Sequence, residues 1–183
     1  MRIIAGEHKG RKIHRPASVE TRPTKDRIRE AVFNIIAAHV PNADVLDIFA
    51  GSGAYGLEAL SRGAERAIFV ENDKECVDTI KKNIDLLDLN KYSEIMDMDA
   101  FRALGSIGES ADRFDLVFAD PPYNKNLAKK TLIIVNQYDI LRPVSFFILE
   151  HHKDENIPGS EGNVSLFRQK SYGEIVISIF KKK

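Results

Sequence analysis

From residue 45 the chain settles into a regular pattern in which short apolar runs alternate with longer amphipathic segments. Residues 45–49, 67–71, 94–98, 114–119 and 145–150 predict buried strands, being short and rich in β-branched and aromatic side chains. Residues 55–62, 74–87 and 127–139 repeat their apolar positions every three or four residues and predict helices, the first closed by Gly63. Such alternation implies an α/β fold, a mostly parallel sheet with helices on both faces and right-handed crossovers. Residues 164–168 and 174–180, separated by Ser171-Tyr172-Gly173, read as an antiparallel pair, so the expected sheet has seven strands and ends antiparallel.

The first forty residues are different. Arg2-Ile3-Ile4-Ala5 and Arg11-Lys12-Ile13 flank a turn containing Gly6, Lys9 and Gly10, which predicts a small β-hairpin. An irregular segment runs to Arg22-Pro23, with Thr24 expected to cap a helix over 25–38 whose apolar face carries Ile28, Val32, Ile35 and Ile36. We therefore expect a basic N-terminal extension over 1–23 and a main domain over 24–183. With 183 residues, 43% hydrophobic and 30% charged, the chain suffices for one well-filled core and is short for two.

Composition narrows the function. No apolar run approaches the ~20 residues of a membrane span, and no signal-peptide layout opens the chain, so a soluble, cytoplasmic protein is expected. The lone Cys76 excludes an internal disulfide or a multi-thiolate zinc site, and in a helical pattern it reads as a packed or half-exposed thiol. His8, His14, His39, His151 and His152 lack ligand spacing and are expected at the surface or facing a polyanionic partner, with no metal. Net charge is +0, yet residues 1–30 hold nine Lys+Arg against four Asp+Glu. A basic head on an acidic body suits a polyanionic partner, although a solvated basic hairpin explains the charge equally well.

The candidate chemistry sits at Asp120-Pro121-Pro122-Tyr123, directly behind the fourth strand. Two prolines must end that strand, which leaves Asp120 at its carboxyl end, the edge where open α/β sheets bind ligands. Upstream, Gly51-Ser52-Gly53-Ala54-Tyr55-Gly56 matches G-x-G-x-x-G between strand and helix, with Glu71 twenty residues after Gly51. That pattern also fits a dinucleotide-binding dehydrogenase. Asp47 opposes this reading, because a carboxylate four residues before Gly51 would face a pyrophosphate unfavourably and a cationic ligand favourably. S-adenosylmethionine, with its ammonium and sulfonium, fits an acidic glycine loop.

At these residues the chain resembles a known group. Val45-Leu46-Asp47-Ile48-Phe49-Ala50-Gly51-Ser52-Gly53 is similar to the cofactor motif of Rossmann-like class I methyltransferases, and Asp120 to Tyr123 to their amino-methylating signature. Arg2-Ile3-Ile4-Ala5-Gly6, Lys9-Gly10-Arg11 and Arg22-Pro23-Thr24-Lys25-Asp26-Arg27 resemble, more narrowly, the RsmD family, which methylates a guanine N2 amine in small-subunit ribosomal RNA. The resemblance implies that Asp47, Phe49, Gly51, Ser52 and Gly53 shape the loop for S-adenosylmethionine, that Glu71 meets the ribose, and that Asp99 meets the adenine, with Asp97 as its rival. Arg22 and Thr24 would lie over the cofactor. Arg2, Lys9, Arg11, Lys12 and Arg15 would grip RNA phosphates. The expected partner is ribosomal RNA, free or in an assembling particle, and the expected state a monomer.

The corner chemistry can be stated in advance. An exocyclic amine is a weak nucleophile, and Asp120 together with the Pro121 carbonyl can accept its two N–H bonds and aim its lone pair. Pro122 stiffens the turn and Tyr123 offers a stacking face to an unstacked base. The same tetrapeptide would serve adenine N6 in RNA or DNA, and a non-catalytic RNA-binding protein with a cofactor fold is the alternative outside enzymes.

Overall fold

The computed structural model describes residues 1–17, 23–123 and 126–183. Its elements in chain order are α1 (Pro23–Ile35), β1 (Asp44–Ile48), α2 (Ala54–Ser61), β2 (Arg66–Glu71), α3 (Lys74–Leu86), β3 (Ser93–Asp97), α4 (Ala100–Glu109), β4 (Phe114–Ala119), α5 (Leu127–Gln137), β5 (Leu141–His152), β6 (Ser160–Glu161), β7 (Val164–Tyr172) and β8 (Ile175–Lys182). The strands form one sheet in the order β3-β2-β1-β4-β5-β8-β7-β6. Pairings from β3 to β5 are parallel, and those of β5 with β8, β8 with β7 and β7 with β6 are antiparallel.

Several expectations are corrected. Among the described residues the sheet has eight strands, because the two-residue β6, too short to show a period, pairs with β7. Helix α4 went unassigned in the sequence; Asp99 caps it by accepting from the Phe101 and Arg102 amides at 3.0 and 3.1 Å, and it buries Ala100, Ala103, Leu104 and Ile107. Its apolar positions have helical spacing, but Gly105 and Gly108 lower the helix propensity of the segment. Helix α1 starts at Pro23, so Thr24 lies in the first turn and not at the cap. Proline is well placed there, since the first helical N–H has no intrahelical partner. The expected hairpin is present as a single bridge, Arg2 to Lys12. His151 is buried, at 3% exposure, and bonded to the Ser178 hydroxyl at 2.9 Å, so it is a core residue of β5 and no surface group.

Alternation along the strands fills two layers. Val45, Phe69, Leu116, Phe118 and Ile148 face α1, α2 and α3, whereas Leu46, Ile48, Val117, Phe147 and Leu149 face α4 and α5. The head joins the first layer through buried Ile3 and Ile13. Glu58 of α2, fully buried, accepts from the Ile4 and Ala5 amides at 2.7 and 3.0 Å and is balanced by Arg62 at 2.7 Å. Removing that carboxylate would leave two amides and a guanidinium without their partner, a loss of several kcal/mol by order of magnitude.

Register then decides what meets at the carboxyl edge. Ile48 lies beside Val70 and Ala119, and Ala119 beside Leu149. The residues that follow, Phe49, Glu71, Asp120 and Glu150, are therefore brought side by side. Between β1 and β4 the strand order reverses, and open sheets of this kind form their ligand crevice at such a switch point.

Candidate active site

The turn from β1 into α2 is built on left-handed backbone. Gly51 has φ 56° and Gly53 φ 76°, conformations that cost a glycine little. Phe49 also has a positive φ, 59°, which is rare for a bulky residue and concentrates at functional turns. Gly56 is required for a different reason: a Cβ there would lie 2.3 Å from the Phe69 ring, so only glycine lets α2 close onto β2. Asp47 accepts from the Gly56 amide at 3.0 Å, and Glu71 accepts from the amides of Gly51 at 2.9 Å, Asn72 at 2.8 Å and Asp73 at 2.9 Å. The two carboxylates thus fix both ends of the glycine turn.

Above this turn lies a cleft of about 280 Å³. Asp47, Phe49, Gly51, Ser52 and Glu71 line one side; Lys25, Asp120, Pro122 and Glu150 line the other. Four carboxylates thus face two cations, Lys25 and Arg29. Burial, reinforced by Asp120 and Glu71, pushes the Asp47 carboxyl up to about 8. Glu150 is pushed up to about 8 by burial first and by Asp120 second, against the opposing effect of Lys25. Near neutral pH these two carboxyls therefore keep their protons without a ligand, and a ligand that carries positive charge and hydroxyl groups would favour their ionised, hydrogen-bond-accepting forms. The donor set therefore fits S-adenosylmethionine and opposes a pyrophosphate. Cys76 also lines the cleft, but burial and neighbouring acids push its thiol up to about 12, which leaves it un-ionised and unreactive.

The corner after β4 is a network. Lys25 of α1 donates to Asp120 Oδ2 at 2.9 Å and stands 3.9 Å from Glu150 Oε1. The Tyr123 hydroxyl donates to Glu150 Oε1. Half-buried Tyr123 packs against the core, with the His152 ring 6.3 Å away. Its ring is thus held by its hydroxyl, which limits it to one orientation beside Glu150. Burial, Asp120 and Glu150 all raise the Tyr123 phenol, so it stays a donor.

The structure brings Asp47, Phe49, Gly51, Ser52, Glu71, Asp120 and Pro122 to one cleft, with Gly53 forming the turn and Tyr123 bonded to Glu150. Asp97 and Asp99 do not line the cleft among the described residues; Asp99 is occupied as a cap. Arg22 and the Thr24 side chain lie outside the described residues. Arg2, Lys9, Arg11, Lys12 and Arg15 are exposed, and Arg11 reaches the Leu86 carbonyl at 2.7 Å. Two participants escaped the sequence reading. Lys25 looked like an ordinary polar-face residue of a helix, and Glu150 like the end of a strand. Glu150 was readable in principle, since an acid ending a wholly apolar strand matches the position of Asp120.

A sheet of this order, a glycine turn pinned by two acids and an acid-proline-proline corner facing it together define a class I methyltransferase. Residues 1–181 match the family described as conserved hypothetical protein 95. The chain is 37% identical over 183 residues to the putative rRNA methyltransferase YlbH of Bacillus subtilis, covering 100% of both chains. It is 33% identical to ribosomal RNA small subunit methyltransferase D of Escherichia coli, covering 100% of this chain and 90% of that one. Among solved structures, the putative methyltransferase yhhF from Escherichia coli superposes with a TM-score of 0.85 at 32% identity, over 100% of this chain and 98% of the other. The chain belongs to the RsmD family of ribosomal RNA small subunit methyltransferases.

Proposed function

We propose that the protein transfers a methyl group from S-adenosylmethionine to the exocyclic N2 amine of a guanine in small-subunit ribosomal RNA. The observation that carries this reading is that one cleft joins the glycine turn to Asp120, so a carboxylate able to take N–H donors faces the place where the cofactor fits. Its relatives named as small-subunit ribosomal RNA methyltransferases supply the substrate class.

S-adenosylmethionine supplies an electrophilic methyl on a sulfonium. Asp47 and the Gly51–Gly53 turn would receive its methionine end, and Glu71 its ribose hydroxyls through lone pairs not used by the backbone amides. Asp120 accepts one N–H of the target amine, and the Pro121 carbonyl accepts the other, which aims the nitrogen lone pair into the cleft. Lys25 now donates to Asp120 at 2.9 Å, which supports the role: this carboxylate takes an N–H donor from the cleft side. Glu150 fixes the Tyr123 ring through its hydroxyl, and that ring stacks on the target base, a contact of ~1–3 kcal/mol. No base is needed before attack, because the methylated nitrogen is acidic and loses its proton afterwards.

The test is incubation of the protein with labelled S-adenosylmethionine and small-subunit ribosomal RNA lacking the modification, followed by nucleoside mass spectrometry. N2-methylguanosine is expected. N6-methyladenosine would reassign the base, and no labelled nucleoside in either RNA or assembled particles would overturn the enzymatic reading.

A further inference from the structure

The C-terminal antiparallel strands carry five Lys+Arg against one Glu between Val164 and Lys183, a second basic concentration at the opposite end of the chain from the head. On β7 they form a stripe. Strand alternation places Arg168, Lys170 and Tyr172 on one face, and a bulge between Leu166 and Arg168 inserts Phe167. Phe167 is 53% exposed and meets Phe146 edge-on at 5.5 Å, and Lys170 lies over the Tyr172 ring at 5.2 Å. Arg168 and Lys170 are exposed, and among the described residues neither makes an ion pair with a carboxylate, whereas Lys153 and Lys182 are both paired. Beyond Leu166 no strand among the described residues covers the outer edge of β7, since β6 pairs with it at Ser165 and Val164.

The position of this stripe gives it meaning. Arg168 and Lys170 share a groove with Ala31, Asn34 and Ile35 of α1. At ~100° per residue, those three α1 residues face away from Arg29, which binds the head through the Arg2 carbonyl at 2.7 Å. The head and β7 therefore flank α1 on opposite sides. The stripe also runs into the catalytic corner: Tyr172 is the register neighbour of Ile175, Ile175 of His152, and the His152 ring is 6.3 Å from that of Tyr123.

We propose that the Phe167-Arg168-Lys170-Tyr172 face of β7 is a second contact surface for the RNA strand that carries the target base. It rests on the ribosomal RNA reading given above. Unpaired cations interleaved with aromatic rings suit a single-stranded segment, with phosphates on Arg168 and Lys170 and bases against the rings. The acid groups nearby are Glu174, engaged by Lys153 at 2.8 Å, and exposed Glu30, which at ~100° per residue lies beside Asn34 on α1. Lysines also occur on open edges to discourage strand-to-strand association. The substitution R168E/K170E keeps that edge charged and so separates the two roles.

The experiment measures binding of full-length small-subunit ribosomal RNA to wild type, to R168E/K170E and to a variant with Lys9, Arg11 and Lys12 neutralised, across a salt series. Calorimetry with S-adenosylmethionine serves as the folding control. For R168E/K170E, affinity at ~0.1 M salt is expected to fall at least about tenfold and the salt slope to shallow by about 1.4, with cofactor binding unchanged. Combined with the head variant, the two reductions in slope should add. An unaltered slope alongside intact wild-type binding and methylation overturns the β7 assignment alone. Unaltered RNA binding with impaired methylation of assembled particles would transfer this face to a protein partner, which also overturns it. If wild type neither binds the RNA in a salt-dependent way nor methylates it, whether free or in assembled particles, the functional reading falls as well.

Discussion

Lys25 Nζ donates to Asp120 Oδ2 at 2.9 Å, so the carboxylate assigned to the target amine already engages an N–H donor of its own chain. An incoming amine must replace or share that contact. Asp120→Ala removes the acceptor and should lower turnover about 100-fold or more, the scale of losing a preorganised hydrogen bond to a reacting group. Cofactor affinity should stay within about twofold, because the ligand's charge is also met by Asp47 and Glu71. Lys25→Met removes the occupant but keeps the acceptor and should retain turnover. Single-turnover methylation of RNA checks both, and equal rates for Asp120→Ala and wild type would remove Asp120 from the reaction.

Stability without ligand should fall as pH rises. Glu150 and Asp47 are pushed up to about 8 from ordinary values of 4.5 and 3.8. Between those limits the folded state keeps protons that the unfolded state releases, so each group's stabilisation is present below the unfolded value and lost as pH rises towards 8. Glu150→Gln can still accept the Tyr123 hydroxyl but cannot ionise, and its melting temperature should depend less on pH across this window. Thermal melts from pH 5 to 9 measure this. If the two proteins show parallel profiles, Glu150 does not titrate there.

Glu71→Ala should weaken S-adenosylmethionine binding by at least about tenfold, for two reasons. It deletes the proposed ribose acceptor, and it releases the Gly51 amide, now held at 2.9 Å, so the turn itself loosens. Titration calorimetry reads the change directly. An unaltered dissociation constant would rule out both effects.

Gly56→Ala should destabilise the fold by about 1–3 kcal/mol, because the added methyl would start 2.3 Å from the buried Phe69 ring and must push α2 away from β2. Denaturant unfolding gives the size of the effect. The companion Gly63→Ala meets open space but has φ 94°, so its smaller cost would be backbone strain alone.

How much of this was legible beforehand varies by element. The fourth strand was placed at its observed limits because its apolar run is continuous and the two prolines stop it. Helix α4 escapes the sequence reading although Ala100, Ala103, Leu104 and Ile107 recur at helical spacing, because Gly105 and Gly108 lower the helix propensity of this ten-residue segment. The sequence suggests only 145–150 for β5, against the observed Leu141–His152, because Pro143 lacks a ladder donor and reads as a break, and nothing in the sequence shows that the strand passes through it with Val144 at φ 65°. His151 was misplaced because a polar residue next to a strand end resembles a surface group until a partner such as Ser178 is known.

The sequence by itself determined the layered α/β architecture, the glycine turn with its acids, and the Asp120 corner, since each rests on local features: hydrophobic period, tolerance of positive φ, and proline's missing donor. It could not determine which side chains the corner would meet. Lys25 is 95 positions from Asp120, and Tyr123 is 27 from Glu150. Only the register of β4 against β5 and the packing of α1 over both bring these groups within bonding distance. The same holds for the charge of the cleft. One acid at the end of one strand is unremarkable, but parallel register gathers Asp47, Glu71, Asp120 and Glu150 around a single space, where burial first and neighbouring acids second raise Asp47 and Glu150, so a cationic ligand would stabilise their ionised forms.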